Sequence, residues 1–190
     1  MAKNEQKLGD YRIFVGAFPT GDLADRIQAV RQRHDAVTAR RTAPHVTMAG
    51  SYSRSGPATL ENEAETIARL QAVQDRIRPF ELMLGGIRSF LPENPVVYLH
   101  VEPTDGLLAA RRILLEALGS GHPRRFTPHL TLAMHLGRDE TQSLYRELQQ
   151  SEWHTGRWSV LIDHLWLMQR APVDPAWRYI YRMGLTGTEL

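Results

Sequence analysis

The chain has 190 residues, no cysteine and a formal net charge of +2, which excludes disulfides, thiolate metal sites and a thiol nucleophile, and argues against nonspecific coating of a polyanion. Hydrophobic residues make up 42% and charged residues 23%, as expected of a globular chain that buries its own core. The polar start MAKNEQKLGD lacks a signal-peptide core and no apolar run approaches the ~18–20 residues of a membrane span, so a monomeric cytoplasmic protein with no membrane partner is expected.

The basic residues are uneven. Of 23 lysines and arginines, only Lys3 and Lys7 are lysine. The guanidinium fork suits phosphate oxygens, although codon bias gives the same composition.

In chain order, RIFVGAF (12–18) reads as a strand stopped by Pro19. Asp22 can cap a helix running to His34, with Leu23, Ile27 and Val30 on one face. Pro44 opens a second strand, HVTMAGSY, followed by a polar loop. Residues 61–78 carry helical spacing through Ile67, Leu70, Val73 and Ile77. FELMLGGIRSF and VVYLHVEP then read as strands joined by the turn LPENP. Thr104 or Asp105 can cap the next helix, GLLAARRILLEALG, which leads through SGHPRRFT into the strand HLTLAMH. Residues 138–150 form a further helix, and WSVLIDHLWLMQR with WRYIYRMGL read as a closing strand pair.

This order repeats. PHVTMA at 44–49 returns as PHLTLA at 128–133, so His45 and His129 lie 84 residues apart, as do Pro19 and Pro103. Two copies are too few for a solenoid but sufficient for two similar lobes across a groove, a favoured place for a ligand. The expected architecture is α+β: one domain spanning 1–190, built of two interleaved, pseudo-symmetric lobes. The duplicated halves run about 11–90 and 95–185, each lobe an antiparallel sheet with outer helices facing a central cleft.

On a strand, residues i and i+2 share a face. His45 therefore stands beside Thr47 with Val46 and Met48 opposite, and His129 beside Thr131 with Leu130 and Leu132 opposite. Two histidines across a groove can divide acid–base work, one neutral and one charged, because imidazole titrates near ~6.5. Threonine hydroxyls donate to an oxyanion but are weak nucleophiles. The set fits in-line displacement at phosphorus: one histidine activates the attacker, the other protonates the departing oxygen, and the hydroxyls hold the non-bridging oxygens. No metal or cofactor is called for. A rival zinc reading would add His135 or His122, but the motif lacks the spacing and carboxylate of a helical zinc site.

The paired His-x-Thr motifs resemble those of the 2H phosphoesterase superfamily, and the layout of nearly the whole chain is most similar to its LigT branch, the RNA 2′,3′-cyclic phosphodiesterases also called 2′-5′ RNA ligases. The resemblance implies a bilobal fold, His45 and His129 as acid and base, and Thr47 and Thr131 as phosphate donors. It also implies RNA ends or nucleotides bearing a 2′,3′-cyclic phosphate as partners, hydrolysed typically to a 2′-phosphate, with ligation through a 2′-5′ linkage in some members. That branch often has arginine three residues after the second threonine, where this chain has Met134. Arg41, Arg124 and Arg125 are the candidates to replace it. Phe14, Tyr52, Phe90 and Tyr98 are the aromatics placed to stack on a base, with core packing the alternative role for Phe14 and Tyr98. A 2H enzyme for another phosphodiester (2′-5′ oligoadenylate or a cyclic ADP-ribose phosphate) and a non-catalytic nucleotide- or RNA-binding module are the competing readings.

Overall fold

A computed structural model describes residues 11–119 and 126–188. Eight strands are present among them: β1 (Tyr11–Ala17), β2 (Val46–Arg54), β3 (Phe80–Ser89), β4 (Val97–Val101), β5 (His129–Ala133), β6 (Trp158–Ile162), β7 (His164–Arg170) and β8 (Arg178–Gly184). Six helices accompany them: α1 (Gly21–His34), α2 (Ala36–Arg41), α3 (Ala64–Gln71), α4 (Asp105–Leu118), α5 (Arg138–Gln149) and α6 (Glu152–Thr155). No helix among the described residues is long and apolar enough to cross a membrane.

The strands form one curled antiparallel sheet in the order β6-β3-β4-β5-β2-β1-β7-β8. Its centre is a thin seam. β2 and β5, the two motif strands, meet through a single residue pair, Val46 opposite Leu130. Four strands lie on each side, giving the two-lobed form.

The lobes exchange material. β3, from the first half of the chain, pairs with β4 and β6, while β7, from the second half, pairs with β1 and β8. The helices cross too: α1 packs against β5 and α4 against β2. Register on the motif strands is pinned by burial. Val46, Met48, Leu130 and Leu132 are essentially inaccessible. A one-residue slip would turn the apolar row outward and drive imidazole and hydroxyl into the core.

Several expected boundaries move. Thr20, in extended geometry, occupies the cap position of α1, and Asp22 sits within the first turn, where its charge suits the positive helix end. The expected helix over 61–78 is three pieces: 3₁₀ turns at Glu61–Glu63 and Gln74–Arg76 flank α3. Val73 leaves helical geometry at φ −123°, ψ 0°, yet Leu70, Val73 and Ile77 still point into the core. WSVLIDHLWLMQR is not one strand. It breaks at the exposed Asp163, and β6 and β7 go to different lobes. The short α2 was not visible as a periodic pattern. It is capped by Asp35, whose carboxylate accepts from the Thr38 N–H.

Candidate active site

A cleft of about 420 Å³ lies over the seam and is lined by His45, Thr47, His129 and Thr131 together. Each imidazole is anchored in the same way. His45 Nδ1 lies 2.9 Å from the carbonyl of Ala43, and His129 Nδ1 lies 2.8 Å from the carbonyl of Thr127. A carbonyl only accepts, so Nδ1 carries the hydrogen in both rings and Nε2 is left as the free nitrogen. Ala43 and Thr127 are themselves 84 residues apart. The hydroxyls of Thr47 and Thr131 have no protein partner among the described residues, so their O–H groups are available to a ligand.

The ring environments differ between the lobes. His45 is stacked between Phe14 (4.8 Å, 25°) and Phe18 (5.2 Å, 27°). His129 is met more edge-on by Phe90 (5.0 Å, 88°) and Tyr98 (5.3 Å, 62°). Burial pushes His45 down to about 4, helped by the charges of Arg31 and His129 and opposed by the Ala43 carbonyl. Burial also lowers His129, opposed by the Thr127 carbonyl. Near neutral pH both rings are therefore mostly neutral. An anion beside them favours the charged form and would draw a proton back.

Three arginines line the same cleft: Arg31, Arg41 and Arg170. Arg31 is only 1% exposed. It donates to Gln28 Oε1 (2.8 Å) and to the carbonyls of Thr42 (2.9 Å) and Thr38 (3.2 Å), while its Nε has no partner. Burial lowers it to about 10, with Asp35 acting the other way, so it remains a cation at neutral pH. It is a positive charge under the cleft that makes no carboxylate ion pair among the described residues.

Arg41 is held by a relay from the end of β5. Its guanidinium donates to His135 Nε2 at 2.8 Å. The other nitrogen, Nδ1, must then carry hydrogen, and it lies 2.9 Å from the Thr38 hydroxyl. That hydroxyl donates in turn to Asp35 Oδ2 at 2.6 Å. Asp35 also accepts the backbone N–H groups of Met134 (2.9 Å) and His135 (3.0 Å), tying the α1–α2 corner to the residues after the second motif. Burial opposes ionisation of Asp35, but hydrogen bonds from Met134, Thr38 and His135 outweigh it and hold the carboxyl well below the usual carboxylate range.

The sequence candidates are placed as follows. Met134 is 48% exposed and lines the cleft, and Arg41 reaches the cleft from α2 beside it. Arg124 and Arg125 lie outside the described residues, as does His122. Phe14 lines the cleft but is buried, its ring stacked on His45 and T-shaped against Trp177. Phe90 stands beside His129. Tyr52 faces the other way: it pairs with the core residue Ile13 and packs against the main core, with the Arg54 guanidinium 5.6 Å from its ring. It does not line the cleft. β2 carries two register shifts against β1 between Thr47 and Tyr52, which put Met48 and Ala49 both in the core and Gly50 and Ser51 both on the cleft, and together they leave Tyr52 facing the core. His135, named from the sequence only in the rival zinc reading, hydrogen-bonds Arg41. No group of three His, Asp or Glu residues suited to a metal occurs among the described residues. The sequence reading missed Arg31, Asp35, Arg170 and Trp177. Arg31 had a signal, since it follows Ile27 by four residues and so falls on the apolar face of α1.

A curled antiparallel sheet carrying two His-x-Thr strands on one cleft is the architecture of the 2H phosphoesterases. A sequence model of the 2′-5′ RNA ligase superfamily matches residues 19–174, and the chain belongs to that family. Relatives named "Putative phosphoesterase" include one from Oceanobacillus iheyensis, 28% identical over 138 residues (71% of this chain and 77% of the relative). Another, from Bacillus pumilus, is 32% identical over 127 residues (66% and 71%). Among solved structures, LigT of E. coli in apo form superposes with a TM-score of 0.65 at 24% identity, covering 94% of this chain and 99% of LigT. LigT complexed with 3′-AMP gives 0.63 at 23% identity, covering 93% and 99%. At these identities the likeness speaks to fold.

Proposed function

We propose that the protein is a cytoplasmic 2′,3′-cyclic phosphodiesterase of RNA or nucleotide ends. The observation that carries this reading is the matched pair of Nδ1-anchored imidazoles with two unpartnered threonine hydroxyls in one cleft. One Nε2 takes a proton from water as the water oxygen bonds to phosphorus. The P–O3′ bond breaks, and the other Nε2 gives its proton to the departing 3′ oxygen, leaving a 2′-phosphate. Thr47, Thr131 and Arg41 hold the non-bridging oxygens, and the buried Arg31 charge compensates the anion. A 5′-hydroxyl of a second RNA in place of water would give a 2′-5′ linkage, the ligase direction. The family membership and the 3′-AMP bound in LigT, a nucleotide with a phosphate on its ribose, favour this substrate class.

Of the two complementary protonation states, the more populated has His45 neutral and His129 charged, because His45 is the more strongly depressed. His45 is therefore assigned as base and His129 as acid. The test is hydrolysis of a nucleoside 2′,3′-cyclic phosphate with product analysis. His45→Ala and His129→Ala should each lower kcat by about 10²–10⁴, EDTA should have no effect, and the product should be the 2′-phosphate. Full activity in either variant, or loss of activity with EDTA, would reject the mechanism.

A further inference from the structure

The cleft does not end at the phosphate. Trp177 and Arg170 line it and also line a neighbouring hollow of about 350 Å³ on the same lobe, together with Arg12 and Ser53. The two cavities thus share a wall, one indole and one guanidinium wide. Trp177 is fixed there by its backbone N–H, which donates to the Arg41 carbonyl (2.8 Å), and by the T-shaped contact of its ring with Phe14 (4.6 Å).

The hollow is lined by a row across three strands. Arg12 on β1 stands directly opposite Ser53 on β2 and opposite Arg170 on β7. Directly opposed side chains share a face, and like charges in that arrangement repel. Neither arginine has an ion-pair partner among the described residues. Arg170 Nε donates to the Asp174 carbonyl (3.1 Å), whereas the Asp174 carboxylate accepts from the Ala171 N–H (2.8 Å) and pairs with Arg178 (3.6 Å). Two facing cations without a counter-ion, beside an indole, make a place for an anion attached to a flat ring. Among the described residues, the hollow beside β3 and β4 in the other lobe is different. It contains Glu102 and shares no residue with the cleft.

We infer that Arg12, Arg170 and Trp177 form a subsite for the nucleotide preceding the terminal one, so that the preferred substrate is a single-stranded oligonucleotide rather than a mononucleotide. This rests on the function proposed above. A 2′,3′-cyclic phosphate ends a chain at its 3′ side, so anything gripped beyond the terminal nucleoside lies 5′ of it. The two guanidinium groups take the intervening phosphodiester, and Trp177 offers a base-stacking surface at the junction of the cavities.

The test compares uridine 2′,3′-cyclic phosphate with a tetranucleotide ending in the same group, for the wild type and Arg12→Gln. The wild type should favour the tetranucleotide in kcat/KM by about tenfold at low salt. Arg12→Gln should remove most of that preference and leave mononucleotide hydrolysis unchanged, since Arg12 lies outside the catalytic cleft. A wild type with no preference, or a variant that keeps it, overturns the subsite while leaving the phosphodiesterase reading intact. Turnover of neither substrate would instead defeat the phosphodiesterase reading. The subsite would then be decided by tryptophan-fluorescence titration with an uncleavable 3′-phosphorylated tetranucleotide. Loss of one single-strand phosphate contact reduces the slope of log K against log salt by about 0.7. That reduction in Arg12→Gln supports the subsite, and an unchanged slope and affinity overturn it.

Discussion

With His45 as the base, the two aromatic rings that enclose it should set the acid side of the pH profile. Burial is the foremost cause holding this imidazole at about 4 instead of 6.5. A gap of that size is worth a few kcal/mol between the two protonation states, at about 1.4 kcal/mol for each tenfold change. Phe18→Ala uncovers one of the two stacked faces and leaves the Ala43 anchor, both threonines and Phe14 in place. If each face carries a comparable share, the acid limb of kcat/KM should rise by about 1 unit. Phe18→Leu keeps apolar cover and should move it less. Truncating a buried phenylalanine costs about 3–5 kcal/mol, so each variant is first checked by thermal unfolding. Initial rates of cyclic-phosphate hydrolysis across the acid range, with an NMR titration of the His45 Cε1–H, give the two readouts. A folded Phe18→Ala protein whose acid limb and His45 titration both stay at about 4 would refute burial as the cause.

Other outcomes follow from the same geometry. An aryl phosphodiester needs no acid for its leaving group, so it should restore most of the rate lost in His129→Ala and little of that lost in His45→Ala; the opposite pattern reverses the assignment. Because His135 acts on the cleft through Arg41, Arg41→Gln and His135→Ala should raise KM by similar factors of about tenfold, and the double variant should add little to either. Rates should also fall on the alkaline side. His129 is held below 6.5, so kcat/KM at about pH 8.5 should lie about 100-fold or more under its plateau. Asp35 has a depressed folded pKa. Its contribution to stability is therefore present above the unfolded value near ~3.9 and is lost as pH falls through the folded value. The gap in Tm between wild type and Asp35→Asn should be widest near neutral pH and narrow below about pH 4; a gap independent of pH would contradict the reading.

Much of this was legible because repetition and strand periodicity are local signals. The His-x-Thr pairs and their apolar flanks could be read two residues at a time, and the expectation of two similar lobes came from the 84-residue offset. The relay through Asp35, Thr38, His135 and Arg41 was not legible, because Asp35 and His135 are 100 residues apart and meet only through tertiary packing. The split of WSVLIDHLWLMQR was hidden for a related reason. Both parts look like strands, and only the pairing of β6 with β3 and β7 with β1 sends them apart. The orientation of Tyr52 was hidden because β2 shifts register twice against β1 before reaching it, which no count along the strand reveals.

The exchange of β3 and β7 between lobes bears on how the gene arose. The group built on β1 and β2 takes β7 and β8 from the second half, and the group built on β4 and β5 takes β3 from the first, so each half lacks the strand that lies next to its own β1 or β4. A single-copy ancestor with this topology could have closed its sheets only by trading that strand with a second molecule, as a swapped homodimer with one His-x-Thr pair contributed by each subunit. Joining the two genes end to end would then have fixed the partners and freed the two binding faces to diverge, one toward aromatics and arginines. The present protein should retain the memory of that assembly. Cut in the turn between β3 and β4, it should yield fragments that fold and regain activity only when mixed, and a fragment that folds stably alone would exclude this history.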